Sequence, residues 1–239
     1  MDLDRYKNRL GRCRFPMRIT IDHLARCFEI MRSKKGKLLI SIDGYGGSGK
    51  STLALSLAQV SQEISLVSID DFYLPPHAQD HSNATIGQYF DWRRLEQQVL
   101  IPLHNSQNGT YQRYDWDLED MAEWHDVRAN HVVIIEGVFS SQTRLSQFYD
   151  MTIWVEAPHS VRLSRGLRRD GESSRFMWES VWIPAEDHYV RTEMPQHRAD
   201  MIVDGCSGYP DGHVNVLKVK PWLSAMLALK KPDDTPDDL

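Results

Sequence analysis

The residues with the clearest chemical capacity lie in Ile42-Asp43-Gly44-Tyr45-Gly46-Gly47-Ser48-Gly49-Lys50-Ser51-Thr52, which contains the spacing G-x-x-x-x-G-K-S. Glycines at Gly44, Gly46, Gly47 and Gly49 let the backbone adopt turns that a Cβ would oppose, so successive N–H groups, those of Ser48 and Thr52 included, can face one anion. A helix beginning at the end of this loop adds its free N-terminal N–H groups and its dipole. Lys50 reaches toward β- and γ-phosphates, and the Ser51 hydroxyl is a ligand for Mg²⁺. A glycine-rich linker could match the spacing by chance, but here an apolar strand precedes the loop and a helical pattern follows it.

Two carboxylates stand at the ends of apolar runs. Asp70 follows Ile64–Ile69, and Glu136 follows Val132-Val133-Ile134-Ile135. In open parallel sheets, ligands sit beyond the carboxyl ends of the strands. Asp70 could there take a proton from an attacking hydroxyl or hold a metal-bound water; an Asp capping the turn before Pro75 would have the same spacing. Glu136 occupies the position of a Walker-B acid, or is simply a strand-end carboxylate. Further on, Arg162, Arg165, Arg168 and Arg169 crowd a helical segment that leads to Gly171. Arg162, Arg165 and Arg169 share one helix face, and planar guanidinium groups suit phosphate oxygens. A solvated helix face would look much the same; the neighbouring glycines and serines suit a segment that moves as a lid.

The surrounding pattern states what positions these groups. Short apolar runs at 37–43, 64–69, 132–135, 151–155 and 201–203 alternate with helical spacing at 52–60, 91–103, 161–169 and 181–190. Alternation of this kind predicts an α/β fold with a mostly parallel sheet and helices on both faces, since parallel neighbours need crossovers. An earlier helix is expected over Ile21–Met31, with Thr20 as its N-cap. The expected organisation is a helical N-terminal extension over 1–35, a P-loop domain over 36–224 and an acidic disordered tail over 225–239.

Composition limits the function classes. The chain has 239 residues, 28 Lys plus Arg against 33 Asp plus Glu, and a net charge of −5. That balance argues against general nucleic-acid binding. Its three cysteines have no C-x-x-C spacing, and the histidines no metal-ligand spacing. The charged start at Met1–Arg5 is unlike a signal peptide, and no apolar run is long enough to span a membrane. The expectation is a cytoplasmic protein with neither a nucleic-acid nor a membrane partner.

Taken in order, Ile42–Thr52, Ser68–Tyr73, Asp91-Trp92, Ile134–Val138, Val161–Asp170 and Arg198–Val203 resemble the uridine kinase family of P-loop kinases, relatives of phosphoribulokinase and bacterial pantothenate kinase. The resemblance implies the P-loop NTPase three-layer fold with an Arg-rich lid. It implies an enzyme that uses ATP (GTP is the alternative) and Mg²⁺ to phosphorylate a hydroxyl of a small molecule. Asp70 would be the catalytic base and a Mg²⁺-shell residue, with Ser51 and Glu136 completing the metal site. Lys50, Arg165 and Arg169 would hold ATP phosphates. Tyr73 would lie near the acceptor; Arg175 takes the place of a further lid arginine, and Tyr114-Asp115 resembles the family's later Y-D segment. Arg113 is a candidate polar group for the same pocket.

One departure bears on the acceptor. Uridine kinases carry an F-D-H-P-D-A-like stretch whose acid holds the ribose; here Ala84-Thr85-Ile86-Gly87-Gln88-Tyr89 has no carboxylate. A non-nucleoside alcohol of pantothenate or sugar-phosphate type therefore stays open, as does a regulatory P-loop ATPase switch. The absence of an N-K-x-D motif and of an Asp-Glu Walker-B pair weighs against the switch. A homodimer contact is one use for the N-terminal helix.

Overall fold

Period-two alternation builds the central sheet. In β2 (Leu38–Gly44), Leu38, Ile40 and Ile42 face one apolar layer while Leu39 faces the other. β6 (Val132–Glu136) divides in the same way, with Val132 and Ile134 on one side and Val133 and Ile135 on the other. Strands buried on both faces are what a parallel sheet between helical layers requires. The computed structural model describes residues 17–79, 85–206, 208–209 and 211–228.

Among the described residues the sheet has seven strands, in the order β1-β9-β8-β7-β2-β6-β3. β3 (Ile64–Ser68), β6, β2, β7 (Met151–Glu156) and β8 (Met201–Asp204) run parallel. β9 (His213–Val219) pairs antiparallel with β8, and β1 (Met17–Thr20) antiparallel with β9. Because the chain leaves β2 and crosses β6 to reach β3, a crevice opens beyond the carboxyl ends of β2, β6 and β3.

One helical layer holds α1 (Ile21–Lys35) and α2 (Lys50–Val60), whose Leu24, Phe28, Leu53 and Leu57 are fully buried. The start and stop of α1 are chemical. Thr20 Oγ1 accepts from the His23 N–H at 3.1 Å, and Gly36 at φ 80° sends its N–H back to the Arg32 carbonyl at 2.7 Å. The opposite layer is formed by α3 (92–104), α4 (His159–Asp170) and α5 (175–193). Both α3 and α5 contain a π-helical turn.

The expected strands and helices are present, and the structure adds elements to them. Neither β9 nor β1 was expected; β1 completes the sheet edge, and the expected helix of the N-terminal segment, α1, packs Leu24, Phe28 and Met31 into the core. Residues 225–227 belong to α6 (Pro221–Leu227), whose Leu223 and Leu227 are buried, so the expected tail boundary falls inside a helix. Residues 1–16 and 229–239, which hold the remainder of both segments, lie outside the described residues. Finally, a separate antiparallel hairpin, β4 (Gly109–Asp115) and β5 (Asp120–Val127), stands over the crevice.

Candidate active site

The loop between β2 and α2 has the strained backbone its glycines foretold. Gly47 sits at φ 71°, where a Cβ would lie 2.5 Å from the Arg162 carbonyl oxygen, and Gly49 at φ 105° forms the N-cap of α2. Lys50 is buried and folds back to donate to the Tyr45 carbonyl at 2.9 Å. The Ser48 hydroxyl is buried without a hydrogen-bond partner among the described residues. Gly205, at the end of β8, presses against the loop so closely that a Cβ there would meet the Ser48 carbonyl oxygen at 1.9 Å.

Strand register brings the acids to this loop. Glu136 pairs with Ile42 on one side and with Ser68 on the other, so it lies at the mouth of the crevice. It accepts from Ser51 Oγ at 3.2 Å and from Ser68 Oγ at 3.4 Å. Asp70 lies in a 3-10 turn, Ile69–Phe72, whose start is fixed by Ser68 Oγ accepting from the Asp70 N–H at 3.3 Å. Its carboxyl reaches solvent through the open crevice while protein surrounds it on the other sides. That enclosure pushes the Asp70 carboxyl above its ordinary range, and the charges of Lys50 and Arg169 pull it back. Glu136 is raised likewise by burial; Lys50 and the two serine hydroxyls oppose the shift, and Asp70 adds to it.

Ser51, Asp70 and Glu136 thus supply one hydroxyl and two carboxylates, all hard oxygen donors. Mg²⁺ is held by one or two carboxylates plus phosphate oxygens rather than by a protein cage. The donor set fits that ion, and among the described residues no cluster of three or more His, Cys, Asp or Glu is placed to hold a metal by itself.

The arginines of α4 separate into different tasks. Arg165 donates to the Gly205 carbonyl at 2.8 Å and to the Cys206 carbonyl at 2.7 Å, with the Gly47 and Ser48 carbonyls at 3.3 and 3.4 Å. It binds the outer rim of the P-loop to the loop after β8. Arg169 pairs with Asp170, lies 5.8 Å from the Trp178 ring, and is the α4 arginine whose charge bears on Asp70. Arg162 is buried, its guanidinium 3.8 Å from the centre of the Tyr45 ring, and faces inward instead of joining Arg165 and Arg169. Arg175 is tied to Glu172 and Glu179 on an exposed stretch of α5. The structure does not join it to the Asp70 cluster.

The hairpin makes the other wall. Arg94, from α3, donates to the Asp71 carbonyl at 3.0 Å and to the Gln112 carbonyl, clamping β4 onto the turn that carries Asp70. Tyr111 Oη donates to Asp71 at 2.8 Å, and its ring stacks between Phe72 and His125. Tyr73 packs against Trp116 at 4.3 Å and Tyr114 at 5.5 Å between ring centres. Arg113 holds Glu123 through Nε at 2.7 Å and Asp115 through Nη2 at 2.7 Å.

Sequence reasoning did not single out Arg94, Asp71, Gly205, Asp43 or Glu186. Asp43 is fully buried under the loop and accepts from the Gly44 N–H at 2.7 Å, the Ser141 N–H at 2.9 Å and Tyr189 Oη at 2.6 Å. Burial pushes its pKa up, and those three donors, with Lys50, pull it back. A signal did exist for Asp43, because a carboxylate inside an apolar strand demands buried donors.

A P-loop after β2, carboxylates at the ends of β6 and β3 and an arginine-bearing helix beside the loop are the arrangement of a P-loop kinase. The chain belongs to the Phosphoribulokinase / Uridine kinase family, which matches residues 39–207. It is 26% identical over 170 residues to a uridine kinase of Latilactobacillus sakei, covering 68% of this chain and 78% of that one. It is 27% identical over 202 residues to a uridine kinase of Mycoplasma pneumoniae, covering 72% and 87% respectively. In fold it is similar to a structure described as a possible uridine kinase from Bacillus stearothermophilus, with TM-score 0.56, 24% identity, and 75% and 98% of the two chains covered. The protein is an ATP-dependent small-molecule kinase that phosphorylates a hydroxyl. No helix of the described residues is long and apolar enough to cross a membrane.

Proposed function

We propose that the chain transfers the γ-phosphoryl group of Mg²⁺·ATP to a hydroxyl of an uncharged, ring-bearing acceptor of nucleoside type. The observation that carries this reading is the wall beside Asp70. Tyr73 and the half-exposed Trp116 offer aromatic faces with the buried Tyr114 packed against them, while the nearby Arg113 is already engaged by Asp115 and Glu123. A flat neutral ring gains about 1–3 kcal/mol by stacking on such a side chain. An anionic alcohol would have to detach two carboxylates from Arg113 and then approach Asp70 and Asp71 against their charge.

In this reading Asp70 accepts the proton of the acceptor hydroxyl as its oxygen attacks the γ-phosphorus. Lys50 turns from the Tyr45 carbonyl to the phosphates, and Arg169 adds positive charge from the lid. Ser51, Asp70 and Glu136 would hold Mg²⁺, which when bound neutralises charge on the phosphate oxygens. Arg165, which grips the loop carbonyls through Nη1 and Nη2, would add positive charge beside the phosphates. ATP is preferred to GTP on the family's pattern, and the expected compartment is the cytoplasm.

A second reading, a neutral non-nucleoside alcohol, is favoured by one observation. Residues 85–89 carry no carboxylate, and Gly87 gives its carbonyl to Trp92 Nε1 at 2.9 Å instead of shaping a ribose site. A thermal-shift screen with a non-hydrolysable ATP analogue separates the two. Nucleosides should raise the melting temperature, and pantothenate and sugar phosphates should not. A shift confined to the anionic alcohols would overturn the proposal, and one confined to neutral non-nucleosides would select the second reading.

A further inference from the structure

Glu186 is a buried carboxylate on α5, far in sequence from the P-loop and yet bonded to it. Its Oε2 accepts from the Gly46 N–H at 3.1 Å. The approach is close enough that a Cβ on Gly46 would lie 2.7 Å from Glu186 Oε1 and 3.0 Å from the Trp178 ring. Amides of this loop are the groups that a P-loop offers to phosphate. One of them is here occupied by an anion that belongs to the protein.

The same carboxylate forms an ion pair with a buried cation, across a distance too long for a hydrogen bond. Arg162 Nη1 stands 3.7 Å from Glu186 Oε2, is buried, and has no hydrogen-bond partner among the described residues. The rest of that guanidinium is fixed, by Nε donating to the Ala157 carbonyl at 3.1 Å and by the Tyr45 ring at 3.8 Å. A buried guanidinium nitrogen without an acceptor is costly. A small movement of the carboxylate away from Gly46 would satisfy it.

We propose that Glu186 is an internal stand-in for phosphate. In the nucleotide-free protein it holds the Gly46 amide, and on nucleotide binding it passes to Arg162 and yields that amide to a phosphate oxygen. Two anions cannot share one N–H in a buried setting, so entry of the nucleotide and retreat of Glu186 are coupled. The carboxylate sits on the same helix as Trp178, whose indole contacts Gly46 and donates to Asp170 at the end of α4. Its retreat therefore links occupancy of the P-loop to the lid segment. Glu186 is a positioning residue in this account; it does not touch the reacting atoms. The inference rests on the nucleotide-site reading of Gly44–Ser51.

The test is calorimetric binding of ATP, ADP and AMP to the full chain, wild type against Glu186→Gln, with the melting temperature of each. Glutamine keeps an acceptor for the Gly46 N–H but removes the charge that opposes phosphate. ATP affinity should rise on the order of tenfold, with AMP affinity unchanged. Glu186→Asp, which withdraws the carboxylate from the amide while keeping its charge near Arg162, should also tighten ATP. Unchanged or weaker ATP binding in both variants at wild-type melting temperature would overturn the inference and leave Glu186 a structural clamp. Failure of the wild type itself to bind ATP would overturn the nucleotide-site reading, and the inference with it.

Discussion

Asp70→Asn should reduce kcat by about a hundred- to ten-thousandfold while leaving the affinity for ATP within about threefold of wild type. The amide keeps the shape of the turn, because what fixes Asp70 is its own N–H on Ser68 Oγ and not its carboxyl group. What is lost is a proton acceptor held near Lys50 and Arg169, both of which influence its charge. Binding of the triphosphate is expected to rest on the loop amides and Lys50, with Ser51, Glu136 and the retained amide oxygen keeping the Mg²⁺ shell. Steady-state kinetics with a saturating acceptor, set beside calorimetric ATP binding, separates the two effects. Wild-type turnover in this variant would remove Asp70 from its assigned role, and a matched loss of ATP affinity would make it a donor-site residue only.

The largest expected effect on stability belongs to Asp43→Ala. Asp43 receives the Gly44 N–H, the Ser141 N–H and Tyr189 Oη from inside the protein. Truncation leaves the Ser141 and Tyr189 donors buried and unpaired, at about 1–3 kcal/mol each, and opens a gap beneath the P-loop. A loss of about 3–5 kcal/mol corresponds to a fall in melting temperature of roughly 6–20 °C for a chain of this size. Asp43→Asn, which keeps one acceptor oxygen, should fall between. Equal melting temperatures for the alanine variant and wild type would show that Ser141 and Tyr189 find other partners, so that Asp43 does not brace the loop.

How much of this was legible in the sequence depends on whether the signal was local. The P-loop was, because glycines at Gly47 and Gly49 state their positive φ directly. Asp70 and Glu136 were, because each ends an apolar run, and strand register then does the rest. The hairpin was not. Burial in β4 falls on Gly109, Tyr111 and then Tyr114, since the register shifts between Gln112 and Tyr114, and β5 is largely exposed. Neither strand therefore shows clean alternation. β1 was hidden for another reason: its partner β9 lies nearly at the other end of the chain, and four residues leave little pattern.

The arginine run shows the limit of helical spacing. Arg162 and Arg169 lie on one side of α4, yet seven residues separate them by about 10 Å along the axis. One ends on Tyr45 and the other within the field of Asp70. Glu186 reads in sequence as an ordinary helix-face acid. Only the return of α5 across the P-loop gives it Gly46 as a partner. Arg94 and Gly205 likewise acquire their roles from contacts with distant loops.

Whether the γ-phosphoryl group passes to an acceptor hydroxyl or to water is measured directly by phosphorus NMR of the purified protein with Mg²⁺·ATP and the acceptor selected by the binding screen. A new phosphomonoester resonance should grow in step with ADP, absent from the Asp70→Asn protein, with little inorganic phosphate. Inorganic phosphate appearing in step with ADP, at a rate indifferent to every acceptor, would contradict transfer to an acceptor.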